Sequence, residues 1–306
     1  MTRIIGTPTE LQPVTPDDLP AVLRLLEAAW RAGQFDAAPT PERLDAVLAA
    51  DRACAGVLRD ADRITGFVSL GPLGLAGPPS TEAVFADIVA ADAALQQPLT
   101  DWAAATTARL HGGRKIRTLR GGTFPAPPGF TEARRLLRMD CVLTGPHPQP
   151  IHPDLEVADY ADLIHPDPTW VGAINDSLAD QWGGYQSWTV RRWQARLPEV
   201  SGGIQLIASR RGGVAGVLLG NTGLRDDGGA QPVGFIEVVG TRPGYRRQGV
   251  AEYLVRCALA RFQTQQIPRV VLFADGGSST RASEIYGRCG FRHAFTYKVW
   301  ERAVHG

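Results

Sequence analysis

The stretch Val233-Gly234-Phe235-Ile236-Glu237-Val238-Val239-Gly240-Thr241-Arg242-Pro243-Gly244-Tyr245-Arg246-Arg247-Gln248-Gly249-Val250-Ala251 changes character twice in one short run. Val233 to Gly240 is largely apolar and reads as a buried strand. From about Gly249 to Gln263, Ala251, Leu254, Val255, Ala258 and Phe262 recur at helical spacing. Between the two lies a basic, glycine-containing loop. A helix starting there leaves unpaired N–H groups converging on one spot, and its dipole favours negative charge. Gly249 lets the main chain approach closely, and Arg246 and Arg247 add charge that strengthens such hydrogen bonds. The whole has the outline of a diphosphate cradle, whereas two arginines alone would read equally well as a solvated turn.

The spacing Arg-x-x-Gly-x-Ala is not specific. Arg210-Arg211-Gly212-Gly213-Val214-Ala215 fits it too, but sits in a polar turn between two strands with no helix after it. Context decides, and more of it lies downstream. Arg269 to Ala274 is an apolar strand, and the run from Ser279 through Ala282 and Tyr286 to Gly290-Phe291 reads as a short helix with a glycine stop.

These two motifs together resemble the GNAT (GCN5-related N-acetyltransferase) superfamily. Arg246, Gly249 and Ala251 match its [Arg/Gln]-x-x-Gly-x-[Gly/Ala] loop. Ala282, Tyr286, Gly290 and Phe291 match its Asn-x-x-Ala-x-x-x-Tyr-x-x-x-Gly-Phe motif. Ser279 departs from the pattern, standing where the family often has Asn beside the pantetheine arm. The resemblance covers roughly Leu155 to Arg302 and implies acetyl-CoA as acyl donor, held by Val239, Gly240, Thr241, Arg246, Arg247, Gln248, Gly249, Val250, Ala251, Ser279 and Tyr286.

It also implies a mechanism. A primary amine of a small molecule or peptide attacks the thioester directly, and backbone N–H groups near Val239 to Thr241 stabilise the oxyanion. Glu237, on the same strand, is the first candidate to take the amine's proton, with Asp275 in reserve. An ordinary ion pair with an arginine is the competing reading of Glu237. Tyr286 matches the position that protonates the departing thiolate, against a plain packing role for its ring. Acceptor recognition would draw on one or two of Trp182, Tyr185, Trp188 and Trp193, the rest being core.

The chain is written twice. Thr15-Pro16-Asp17-Asp18 opens a helix carrying Leu19, Val22, Leu23, Leu26 and Trp30, and Trp170, Ile174, Leu178 and Trp182 draw a matching stripe. A second helix follows in each half, opened by Thr40-Pro41-Glu42 and by Ser187. Paired strands with Gly66 and Gly216 in equivalent places come next, and each half finishes on Gly-Phe, at Gly129-Phe130 and Gly290-Phe291. The proline-rich segment from Thr144 to Pro153 places the boundary, giving domains 1–146 and 147–306. The expected fold class is α/β, with two tandem GNAT-like domains, each a mostly antiparallel mixed sheet flanked by helices. This two-copy arrangement resembles tandem GNAT proteins of the mycothiol synthase type.

The first copy reads as degenerate. Its equivalent loop, Ala91 to Leu99, has no glycine, Arg or Lys and carries Asp92, and Thr123 to Pro128 is too proline-rich to continue a helix before Gly129. No acetyl-CoA site is expected there, and a structural role is.

Composition sets the outer limits. Lys plus Arg (32) balance Asp plus Glu (31), so no global field exists to bind nucleic acid or an anionic membrane. No apolar run approaches the ~18 residues of a membrane span, and Met1 to Glu10 has no leader pattern, so a cytoplasmic protein is expected. Cys54, Cys141, Cys257 and Cys289 are widely spaced without clustered histidines, so no metal and no disulfide framework are expected. Partners reduce to an amine acceptor, in a monomer or homodimer. The rival function is a protein that binds acyl-CoA without turning it over.

Overall fold

The structure, a computed structural model, describes residues 11–50, 54–71, 82–112, 114–148, 150–183, 185–200, 202–225, 232–277 and 281–304. Ser279 and the N-terminal segment 1–10, both subjects of sequence-based expectations, lie outside the described residues. In chain order the elements are β1 (Gln12–Pro13), α1 (Leu19–Arg31), α2 (Pro41–Ala50), β2 (Ala55–Asp60), β3 (Arg63–Leu70), β4 (Ala83–Ala90), α3 (Gln96–His111), β5 (Lys115–Gly121) and β6 (Thr131–Val142). There follow β7 (Glu156–Asp159), α4 (Pro166–Leu178), α5 (Val190–Val200), β8 (Ile204–Arg210), β9 (Gly213–Arg225), β10 (Pro232–Thr241), α6 (Val250–Thr264), β11 (Arg269–Asp275), α7 (Ala282–Arg288) and β12 (Arg292–Arg302).

Two compact units result, one of Met1–Arg135 with Tyr297–Gly306 and one of Leu136–Thr296. The sequence-based boundary was drawn at 146/147. The chain instead leaves the first unit after Arg135 and returns to it for its last strand.

In the first unit β1, β2, β3 and β4 pair antiparallel in that order, and β4 joins β5 in parallel. The strand completing it is the end of β12, with Tyr297 opposite Gly121 and Arg302 opposite Ile116. α1 starts where the Thr15 amide and hydroxyl both donate to the Asp18 carboxylate, each at 2.8 Å. Its Val22, Leu25 and Leu26 are buried against Val57, Phe67 and Val89. α3 lies over a second cluster with Leu99 and Ala103 against Val68, Ile88 and Trp300.

The second unit repeats the plan. β7, β8, β9 and β10 pair antiparallel, β10 joins β11 in parallel, and β6 completes the sheet from Leu136 to Val142 against β11. One face carries α6 and α7 over Leu206, Leu218, Ile236, Val270 and Leu272. The other carries α4 and α5, whose Trp170 and Trp193 stack at 5.1 Å over Val217 and Leu219. Two local expectations are corrected. α4 ends at Leu178, so Trp182 lies beyond it. α5 is opened by Thr189, whose hydroxyl accepts the Arg192 amide at 3.2 Å, and not by Ser187.

Small residues let α6 and α4 close on the end of β10. A Cβ on Gly216 would sit 2.5 Å from the Gly240 carbonyl oxygen and 2.9 Å from Val250, and one on Gly240 would sit 2.6 Å from Ser177 Cβ. Because the Gly240 neighbour is backbone, Gly216→Ala is expected to cost about 1–3 kcal/mol through overpacking. Urea unfolding should show a lower midpoint at unchanged slope.

Candidate functional site

β10 and β11 are paired only from Val233 opposite Arg269 to Ile236 opposite Leu272. Beyond that point Val238–Thr241 stay with β9, across an irregularity between Ile236 and Val238, while Phe273 to Asp275 stay with β6. The strands diverge, and alternate residues of β10 turn N–H and C=O toward the side β11 has left. Among the described residues no side chain bonds the carbonyls of Glu237 to Gly240, and Arg246 Nε reaches the Thr241 oxygen at 3.3 Å.

From Thr241 the chain makes a tight turn, with Tyr245 N bonded to Arg242 O at 2.9 Å and Arg246 N to Pro243 O at 3.3 Å. Arg247 (φ 60°) and Gly249 (φ 80°) are both left-handed, and Gly249 is the residue before α6. The next backbone bond runs from Tyr253 N to Gly249 O at 2.9 Å. Among the described residues, the amides of residues 247–252 therefore have no protein acceptor. This is the unsatisfied start of a 15-residue helix, where fixed dipoles favour an anion.

The loop's side chains are arranged differently from their sequence reading. Arg246 does not stand free: its guanidinium grips Asp180, just past α4, at 2.6 and 2.9 Å. Arg242 pairs with Asp176 at 2.6 Å. Gln248 Nε2 donates to Gly244 O at 3.0 Å and its Oε1 accepts from Arg210, which also pairs with Asp154 at 2.9 Å. Arg247 is exposed and has no ion pair among the described residues. The decoy motif at Arg210 is indeed the β8–β9 turn, and it props the loop: a Cβ on Gly213 would collide with the Tyr245 hydroxyl at 2.3 Å.

Val250 and Tyr286 belong to one buried cluster, and Val239 packs against it. Tyr286 is 9% exposed, its ring edge-on to Phe291 at 6.2 Å. Burial, with Cys289 adding to it, pushes the phenol up to about 12, so it keeps its proton at neutral pH. No protein group bonds its hydroxyl among the described residues.

Glu237 points to α5. Its Oε2 accepts from Arg196 at 3.2 Å and Asn221 at 3.4 Å, which is the ion-paired alternative weighed for it, and Oε1 has no partner among the described residues. Asp275 Oδ1 accepts the Gly277 amide at 2.9 Å. Of the four aromatics, Trp193 is fully buried, whereas Tyr185 and Trp188 are pinned by Asn175, whose Oδ1 accepts from both at 2.8 Å. Trp182 is half-buried.

The corresponding place in the first unit is closed. β4 and β5 likewise part after Phe85 opposite Arg117. There the fully buried Arg120 donates to Ile88 O at 3.1 Å and Gln96 Oε1 at 2.6 Å, and Gln34 donates to the same Ile88 oxygen at 3.0 Å. Asp92 turns its carboxylate onto the Ala94 amide at 2.9 Å, inside the loop before α3.

Residues 158–291 match the acetyltransferase (GNAT) family model. That segment of the chain is similar to the GNAT acyltransferases. Mycothiol acetyltransferase from Thermobispora bispora is 28% identical over 290 residues, covering 90% of this chain and 93% of that one. The crystal structure of a GCN5-related N-acetyltransferase from Sphaerobacter thermophilus superposes with a TM-score of 0.78 at 17% identity, over 99% of this chain and 98% of that one. A tandem GNAT protein from the clavulanic acid biosynthesis pathway gives a TM-score of 0.65 at 17% identity, over 97% and 99% of the two chains. The tandem GNAT fold thus runs through the whole chain, as the duplicated sequence implied. Among the described residues no cluster could hold a metal ion, and no helix is long and apolar enough to cross a membrane.

Sequence reasoning missed Asp180 as the partner of Arg246. Their contact has a pH signature. The Arg246 hydrogen bond holds the Asp180 carboxyl below its ordinary range. Its contribution to stability is therefore complete above the unfolded value of about 4 and disappears as pH falls through the lowered folded value. Asp180→Asn should differ from the parent by a constant, small amount at neutral pH, since the carboxylate is 65% exposed. Urea midpoints followed into acid should converge.

Proposed function

We propose that this chain transfers an acetyl group from acetyl-CoA to a primary amine of a small molecule or peptide, with its active site in the second unit. The observation carrying this reading is the run of unpartnered amides at residues 247–252, set where β10 and β11 diverge. Residues 247–251 would hold the diphosphate by backbone N–H groups, with Arg247 as the adjacent free cation. Arg246 would act indirectly, tying the loop to Asp180, and Gln248 would brace it against Gly244 and Arg210. The exposed edge of β10 at Val239, Gly240 and Thr241 would bond the pantetheine arm and thioester oxygen. Ser279 belongs to the same proposed set by its place in the motif.

In the chemical step Glu237 would receive the amine's proton through its free Oε1, directly or by one water, while Arg196 and Asn221 fix the other oxygen. Those two bonds would orient the carboxylate toward the amine. Tyr286, kept protonated by burial, would deliver a proton to the departing thiolate. The first unit would serve as structure only, because Arg120, Gln34 and Asp92 occupy its equivalent polar groups. A cytoplasmic location and a monomeric or homodimeric state go with this reading.

The direct test is thiol release on mixing the protein with acetyl-CoA and a panel of amines, mycothiol-related ones first in view of the Thermobispora relative. An acceptor exceeding the buffer rate is expected, and none doing so would remove the reading. Titration calorimetry should count one CoA per chain, and two would contradict the closed first unit. Gly249→Asp puts both a side chain and a negative charge into the cradle at a left-handed position, and should abolish measurable CoA binding. Tyr286→Phe should leave CoA affinity within about twofold while lowering kcat about 100-fold or more, the scale of general acid catalysis. Wild-type turnover in that variant would withdraw the acid role.

A further inference from the structure

The linker ahead of β7 runs along α6. Near its start the His147 amide donates to Gln263 at 2.7 Å, and Leu155 at its end is buried in the α6 cluster. Between them His152 comes to the start of the helix. Its Nε2 lies 3.7 Å from where a Cβ on Gly249 would be, and its ring leans on Tyr253 at 5.5 Å.

The ring's orientation is fixed by its other nitrogen. Nδ1 accepts the Asp154 amide at 3.1 Å, which in a neutral imidazole leaves the proton on Nε2. The Asp154 carboxylate is bound by Arg210, whose other nitrogen bonds Gln248 of the loop. The linker is thereby clamped to the loop on one side and to the core on the other. Nε2–H has no acceptor among the described residues and lies beside Gly249, within the run of vacant amides 247–252.

We propose that His152 is a ligand of the donor's diphosphate, giving Nε2–H to a phosphoryl oxygen held by the α6 amides. This rests on the acetyl-CoA reading above and extends it to a residue outside the loop motif. An imidazole donor is suited to this position. It adds a directional bond without requiring a second permanent positive charge at the positive end of a helix dipole.

The test is calorimetric titration of the full-length protein with CoA and with dephospho-CoA, which keeps the diphosphate and lacks the 3′-phosphate. His152→Ala should weaken both by the same factor, about tenfold or more, as expected for a hydrogen bond to a charged group. His152→Gln, which keeps an N–H near Nε2, should recover most of the loss, a rescue that a purely packing role would not give. Unchanged affinity in His152→Ala, or a loss for CoA alone, overturns the assignment. So does equal weakening by Ala and Gln. Failure of the unsubstituted protein to bind CoA is a different result and takes away the acetyl-CoA reading itself.

Discussion

The parting of β10 from β11 after Ile236 and Leu272 is the constraint on which the proposed site of the second unit depends. A buried strand edge is expensive unless its N–H and C=O groups find partners. Here β9 continues to satisfy one edge of β10 through Thr241, so the strand survives the loss of its other neighbour. The irregularity between Ile236 and Val238 re-aims the strand at the point of parting. Gly216 and Gly240 then allow close packing on both faces of its end, against Val250 of α6 and Ser177 of α4. The first turn of α6 is thus fixed beside an open backbone edge.

The first unit meets the same strand parting with its own side chains. β4 and β5 part in the same way, but the unsatisfied carbonyl of Ile88 is met by Arg120 and Gln34. Burying a guanidinium is costly, and burial pulls its pKa down to about 10. The cost is tolerable because the group bonds Ile88, Gln96 and Pro125 at once. The same parting of strands goes with amides that have no acceptor among the described residues of one copy and is bridged by side chains in the other.

What was legible in the sequence was local. The strand, loop and helix from Val233 to Thr264 were read from composition and spacing, because burial, left-handed glycine and helical periodicity are properties of neighbouring residues. The decoy at Arg210 was recognised for the same reason, since no helix follows it. What escaped was set by tertiary contact. Nothing in the residues of β6 or of the end of β12 says which unit each completes. Trp182 continued the periodic stripe of α4 after the backbone had left the helix at Leu178. The partners of Arg246 and the approach of His152 depend on chain segments far from the motif.

Those long-range partners change how the site should attract an anion. Read from sequence, Arg246 and Arg247 place two positive charges on the loop. In the structure Arg242 is offset by Asp176, Arg246 by Asp180 and the nearby Arg210 by Asp154. Of the loop's arginines only Arg247 keeps an uncompensated charge among the described residues. Under the proposed function, selectivity for a diphosphate would fall chiefly to oriented amides, which are fixed by α6 and cannot follow a ligand into other geometries. Ion-paired arginines stiffen the loop that carries those amides, and a stiff loop loses little entropy on binding. The chain's near-balanced charge is consistent with a site that recognises by arrangement and depends little on a broad electrostatic field.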